Sequence, residues 1–151
     1  MATTEGRKDG ILNAIPMKAT IIFALHNLVF VNSSNYAYKP DWTNTITTGD
    51  TFAGLADGAY DSTDYSDGEK DVKVWRSGVF RVPAALVSGT KKIWSRIKTS
   101  NAGALAVTTT EEFLNVIGVI IGFEGSDPII SIDNYVDKKF GTPLSTTDDS
   151  V

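Results

Sequence analysis

The chain has 151 residues, a formal net charge of −4 and no cysteine. A chain of this length can bury a sizeable core as one domain, and without cysteine it has neither disulfides nor thiolate metal ligands. The acidic balance argues against a protein whose main task is to neutralise nucleic-acid phosphates, because that task needs clustered Lys and Arg. We therefore expect one domain and no nucleic-acid partner.

The two ends of the chain lack the patterns of packed elements. Residues 1–17, MATTEGRKDGILNAIPM, have no continuous apolar run of the kind that a secretory signal needs. The longest apolar runs, 19–25 and 116–123, are well short of the ~20 residues of a membrane helix. We predict an N-terminal arm at 1–17, a C-terminal arm at 134–151, synthesis in the cytoplasm and no membrane partner.

The segment between the arms, 18–133, is predicted to be a β-rich core domain. Thr, Ser, Asn, Asp and Gly recur at short intervals, and no apolar helical stripe lasts more than about two turns. The segments 18–25 and 27–32 predict two strands or one bent strand. The polar segment 33–49 predicts a long loop with a short edge strand, and 50–57, DTFAGLAD, predicts a further strand.

The stretch DVKVWRSGVFRVP, 71–83, has the alternation of a strand that forms one wall of the domain. Four of its apolar side chains share one parity, which we predict faces the core: Val72, Val74, Phe80 and Val82. Arg76 has the same parity, although a charged side chain does not suit an apolar core. The neighbouring Ser77-Gly78 predicts a bend or bulge that changes which face the side chains take.

The remaining third of the chain predicts a turn at 88–90 followed by a strand with Ile93 and Ile97 on one face and Lys92, Trp94, Arg96 and Lys98 on the other. A strand is predicted at 103–109 and one helical turn at 109–114. The strand predicted at 114–125 is apolar on both parities, as expected when both faces are covered. Residues 126–135 are expected to pair with it across a tight turn.

No catalytic motif is present. His26 is the single histidine, and no nucleophile elbow or phosphate-binding glycine loop accompanies it, so we predict that the chain is not an enzyme and needs no cofactor. The acidic loop 57–71 offers six carboxylates but does not have the spacing of a calcium loop. We therefore favour a solvated loop and predict no metal ligand. Metal binding by this loop is the alternative.

Four side chains are candidates for contact with a partner: Trp75, Arg76, Arg81 and Trp94. The two tryptophans fall on the polar parity of their strands, among Lys and Arg. Aromatics among cations can stack on bases or sugars, and Trp and Arg are also enriched at the centres of protein interfaces. The net negative charge of the chain favours a protein partner over nucleic acid for these residues. The alternative for these residues is structural, with Trp75 packed under a loop and the arginines solvated.

The order of four segments resembles the capsid cement, or head decoration, proteins of tailed bacteriophages. These segments are FAGLADGAYD (52–61), DVKVWRSGVFRVP (71–83), SGTKKIWS (88–95) and NVIGVIIGFEGSDPIISID (115–133). The resemblance implies a small compact β-barrel or β-sandwich with extended N- and C-terminal arms. It also implies a virion protein on the capsid exterior that self-associates, often as a homotrimer, and clamps neighbouring subunits of the major capsid protein.

A carbohydrate-binding or adhesion module is the main alternative. Its support is a set of aromatic side chains in loops rich in Asn, Asp and Ser: Tyr36, Tyr38, Trp42, Tyr60 and Tyr65. Such residues stack on sugar rings and hydrogen-bond to sugar hydroxyls, and in that case the acidic loop would hold calcium.

Overall fold

The structure is a computed structural model that describes residues 12–108 and 116–133. In chain order its strands are β1 (Leu12–Pro16), β2 (Ile22–Phe23), β3 (Leu28–Val31), β4 (Ala37–Tyr38), β5 (Thr51–Ala56), β6 (Tyr60–Asp61), β7 (Asp71–Trp75), β8 (Ser77–Arg81), β9 (Val87–Ser88), β10 (Arg96–Thr99), β11 (Leu105–Val107), β12 (Val116–Glu124) and β13 (Asp127–Asp133). A single 3-10 turn, Ala84–Leu86, is the one helical element of the described residues. The predicted all-β class is confirmed.

The strands form two larger sheets and one small pair. The five-stranded sheet has the order β1-β7-β5-β3-β4, the six-stranded sheet has the order β8-β13-β12-β10-β11-β9, and β2 pairs with β6. Within the described residues neither larger sheet closes on itself. Of the two architectures expected from the sequence, the structure fits the sandwich, in which two sheets share one core.

The chain changes sheets inside the stretch 71–83. β7 belongs to the five-stranded sheet and β8 to the six-stranded sheet, and Arg76 is the one residue between them. The predicted bend is therefore a crossing from one sheet to the other. Val72, Val74 and Phe80 are fully buried, as predicted, while Val82 is half-buried and packs against the core.

Apolar side chains from both sheets meet in one core. Phe30 and Phe52 of the five-stranded sheet have ring centroids 5.3 Å apart and are fully buried. Ile97 and Ile130 of the six-stranded sheet are also buried. Burying each such side chain contributes roughly 1.5–3 kcal/mol, so the core rather than any single contact holds the sheets together.

The strand predicted to run through Lys92 begins later, at Arg96. Residues 92–95 form a turn closed by the Ser95 amide, which donates to the Lys92 carbonyl at 2.9 Å. Ile93 is 49% exposed, so its predicted core position was wrong. The strand predicted at 114–125 is covered only in its first half, because its residues are buried or half-buried as far as Ile120 and mostly exposed beyond it. Its predicted pairing with β13 is confirmed.

The N-terminal residues that the structure describes belong to a sheet. β1 pairs along its length with β7, and Met17 is fully buried. The predicted arm 1–17 thus ends in a strand, with residues 1–11 outside the described residues. The C-terminal arm 134–151 and the helical turn predicted at 109–114 also lie outside them.

Across residues 12–108 and 116–133, no helix has the length and apolar character that crossing a membrane requires.

Candidate interaction surface

Trp75 and Arg76 lie where the chain crosses between the sheets. Trp75 is half-buried, packs against the core, and has Leu12 and Leu55 as its partners on the two neighbouring strands. Arg76 occupies the bend that follows and is also half-buried. Trp75 therefore contributes to folding, which corresponds to the structural alternative for this residue.

Arg81 forms ion pairs with two carboxylates of the β12–β13 hairpin. Its guanidinium lies 2.9 Å from Asp127 Oδ2 and 3.3 Å from Glu124 Oε1, and its Nε also donates to Asp127. Because an arginine presents several donors in a fixed plane, contacts with two carboxylates restrict its orientation. Arg81 is thus held in place at the end of β8, and its charge is already balanced.

Asp127 connects this ion-pair cluster to the 3-10 turn. Its Oδ1 accepts a hydrogen bond of 2.9 Å from the Ala84 amide, and this bond, followed by the contact with Arg81, lowers the pKa of the Asp127 carboxyl below its ordinary value of 3.8. The carboxylate therefore holds the segment after β8 against the start of β13.

Trp94 protrudes from the 92–95 turn. Its side chain is 74% exposed and its backbone has φ of +73°, a left-handed conformation that bulky residues rarely adopt. The Trp94 amide donates to the Ile120 carbonyl at 2.7 Å, and the Ile120 amide donates back to the Ser95 carbonyl at 2.8 Å. A rigid strand thus holds an exposed tryptophan in a strained conformation, an arrangement that is often associated with function.

Arg81 and Trp94 lie at neighbouring registers of the same sheet. Arg81 pairs with Ile129 of β13, and the Trp94 amide binds Ile120 of β12, whose own partner is Ile130. Three strand spacings of ~4.8 Å separate their backbones by roughly 14 Å. Arg81 thus ends a strand of the six-stranded sheet and Trp94 lies in the turn that leads into β10 of that sheet. Trp75 and Arg76 lie at the crossing between the sheets.

An apolar cavity of about 410 Å³ opens between the sheets beside Arg81. Its walls include Phe80, Leu55, Leu105 and Ile117, and two exposed side chains, Leu25 and Leu86, also line it. No local sequence pattern signals this cavity, because its walls come from strands that are far apart in the chain. A cavity of this character accepts an apolar group.

The five aromatic residues of the carbohydrate-binding hypothesis differ in exposure. Tyr38 is buried, Tyr36 and Tyr60 are half-buried, and Tyr65 is 44% exposed with the Lys70 ammonium 5.1 Å from its ring centroid. Trp42, 89% exposed, is the most accessible of the exposed apolar side chains. It belongs to the polar loop between β4 and β5.

The carboxylates of the acidic loop bind neighbouring backbone and hydroxyl groups. Asp61 accepts from Thr63, Asp67 from the Ala19 amide, and Glu69 from the Ser66 amide. In the part of the chain that the structure describes, no group of three or more His, Cys, Asp or Glu side chains gathers in a way that could hold a metal ion. The loop is thus shaped by its own carboxylates.

Comparison with known proteins adds no family. No family model matches the chain, and neither the curated proteins nor the solved structures contain a match to it.

Proposed function

We propose that this chain is a structural virion protein that binds the outer surface of a phage capsid and stabilises it by clamping neighbouring subunits of the major capsid protein. The observation that carries the proposal is the Trp94 turn, because a strained, exposed tryptophan on a rigid sheet is suited to bury itself in a partner. The order of the segments, which resembles that of capsid cement proteins, supplies the class of partner.

The interaction is proposed to use two parts of the six-stranded sheet. Trp94 and Ile93, both exposed, supply apolar area, and most of the binding free energy of protein interfaces comes from a few such residues. Arg81 with Asp127 and Glu124 supplies a rim of oriented charges. Charged rims of this kind contribute more to specificity than to affinity.

Stabilisation would follow from mass action. A protein that binds the assembled shell and has no affinity for dispersed subunits raises the free energy of shell disruption with every bound copy. If the protein also self-associates, as a homotrimer in our proposal, one particle contacts several capsid subunits at once, and weak contacts combine through avidity. No catalytic step and no cofactor enter this mechanism.

The test is to mix the purified protein with capsids that lack it, sediment the shells, count bound copies and follow thermal disruption. We expect saturable binding at a fixed ratio to capsid subunits, and shells that survive to higher temperature. Failure of the wild-type protein to bind any mature shell would overturn the proposed function.

The site is tested by the same assay with Trp94→Ala, and Trp42→Ala serves as the matched control because it removes an exposed tryptophan elsewhere. We expect at least a tenfold loss of shell affinity for Trp94→Ala, which corresponds to the ~1.4 kcal/mol or more that a hot-spot residue contributes. Equal binding by both variants would place the contact elsewhere on the protein.

A further inference from the structure

We propose that the polar cavity formed by Lys18, Tyr38 and the loop 43–50 is a binding site for one unit of a neutral saccharide. The cavity has a volume of about 290 Å³ and is open to solvent. Its lining includes Lys18, Tyr38, Thr43, Asn44, Thr47 and Asp50. It lies on the five-stranded sheet and its loop, and it shares no lining residue with the apolar cavity beside Arg81.

The cavity presents both donors and acceptors. The Lys18 ammonium has three protons and donates one of them to Asn44 Oδ1 at 2.8 Å, and the Asn44 side chain also carries an amide nitrogen with two protons. The threonines of the lining contribute hydroxyls that both donate and accept. A sugar hydroxyl also donates and accepts, so a mixed lining of this kind suits it better than a lining of one type.

The charges of the lining cancel. Lys18 and Asp50 are the charged residues that line the cavity, one of each sign. A phosphate or carboxylate ligand would need an excess of positive charge, as in the Arg clusters that bind phosphorylated peptides. The balanced cavity therefore favours a neutral ligand.

The lining is held rigidly before any ligand binds. Asp41 Oδ1 accepts from the amides of Thr43 and Asn44 at 2.8 and 2.7 Å, and the buried Ile46 donates its amide to the Asn101 carbonyl at 2.7 Å. Further along the loop, the buried Asp50 carboxylate accepts from the Tyr38 hydroxyl and from the Thr47 amide. A site that is ordered in advance loses less entropy when a ligand binds.

Trp42 supplies the apolar surface that a sugar ring needs. It immediately precedes residues 43–45, which line the cavity, and it is 89% exposed. The C–H face of a sugar ring packs on an indole, and the hydroxyls at the ring edge reach polar groups nearby. A small cavity lined by the residues that follow an exposed indole thus fits one sugar unit, with the rest of a longer glycan over Trp42.

The experiment is a titration of the full-length protein with glucose, galactose, mannose and N-acetylglucosamine, followed by tryptophan fluorescence and by the backbone amide signals of residues 41–50. The expected result is saturable binding of at least one of these neutral sugars, with amide shifts confined to that loop and to residues around Lys18. Absence of binding by all four up to about 50 mM would overturn the proposal.

Variants and a charged probe test the assignment of residues. Trp42→Ala is expected to weaken binding at least tenfold, Asn44→Ala is expected to weaken it about fivefold, and Trp94→Ala, which removes the exposed tryptophan of the other sheet, is expected to leave it unchanged. Equal affinity in Trp42→Ala and wild type contradicts the site. Tighter binding of glucuronate than of glucose contradicts the neutral class. Capsid binding is not part of these measurements, so this proposal and the proposed function fail independently.

Discussion

Gly54 of β5 lies directly against the backbone of Trp75 in β7. A Cβ atom built on Gly54 would be 2.0 Å from the Trp75 carbonyl oxygen, and the backbone at Gly54 has φ of +136°. Both features require glycine, because an added carbon meets backbone that cannot move aside and because other residues rarely adopt this conformation. The Gly of the FAGLAD segment thus allows the close approach of two central strands.

Gly54→Ala is therefore expected to destabilise the protein by about 3 kcal/mol, since pairing between β5 and β7 must shift. Urea unfolding of the isolated protein measures the change. Gly122→Ala is the matched control, because a Cβ there meets nothing within 4 Å. Its stability is expected to stay within about 0.5 kcal/mol of the wild type. Similar losses for the two variants would contradict the role assigned to Gly54.

Tyr38→Phe is expected to reduce stability at neutral pH by about 1–3 kcal/mol, because the buried Asp50 carboxylate loses a hydrogen-bond donor. Burial, together with the bond to Asp50, raises the pKa of the Tyr38 hydroxyl above its ordinary value of 10.0. Because the pKa is higher in the folded state, the Tyr38 hydroxyl loses its proton at a lower pH in the unfolded chain than in the folded protein. The contribution of Tyr38 to the free energy of unfolding is therefore present below pH 10 and decreases as the pH rises further.

The measurement is urea unfolding of wild type and Tyr38→Phe at about pH 8 and about pH 11. Wild type is expected to lose more stability than the variant between the two conditions. Identical losses would show that Tyr38 ionises normally.

Asp127→Asn is expected to remove a stabilising contribution that the wild type has at neutral pH and loses in acid. Because the Ala84 amide and Arg81 lower the pKa of Asp127, the folded state releases this proton more readily than the unfolded state. The associated stability is present above the ordinary value of 3.8 and is lost as the pH falls through the lower folded-state pKa. In thermal unfolding, the midpoint temperature of the wild type should exceed that of Asp127→Asn at pH 7. The difference between the two midpoints should narrow toward pH 2. A difference that stays constant would contradict this.

Trp94→Gly is expected to stabilise the free protein by about 1 kcal/mol, because glycine adopts the left-handed backbone conformation without the steric cost that tryptophan has. Trp94→Ala keeps a Cβ and is expected to leave stability nearly unchanged. Chemical unfolding separates the two variants. If Trp94 is retained for contact with a partner, both variants lose shell binding, although Trp94→Gly is more stable than the wild type. Unchanged stability of Trp94→Gly would show that the turn carries no strain.

The all-β class, most of the strands and the pairing of β12 with β13 are predictable from the sequence alone. These predictions depend on the alternation of side chains and on turn residues, which are local properties of the chain. For the same reason Val72, Val74 and Phe80 were correctly predicted to face the core.

The division of these strands between two sheets depends on tertiary contacts. Alternation of side chains is the same whether β7 and β8 form one strand or belong to two sheets, so the crossing at Arg76 depends on pairing with β1, β5 and β13. The turn at Trp94 is likewise stabilised by β12, which lies far along the chain. The apolar cavity is formed by residues from distant segments, and contacts between distant residues leave no periodic pattern in the sequence.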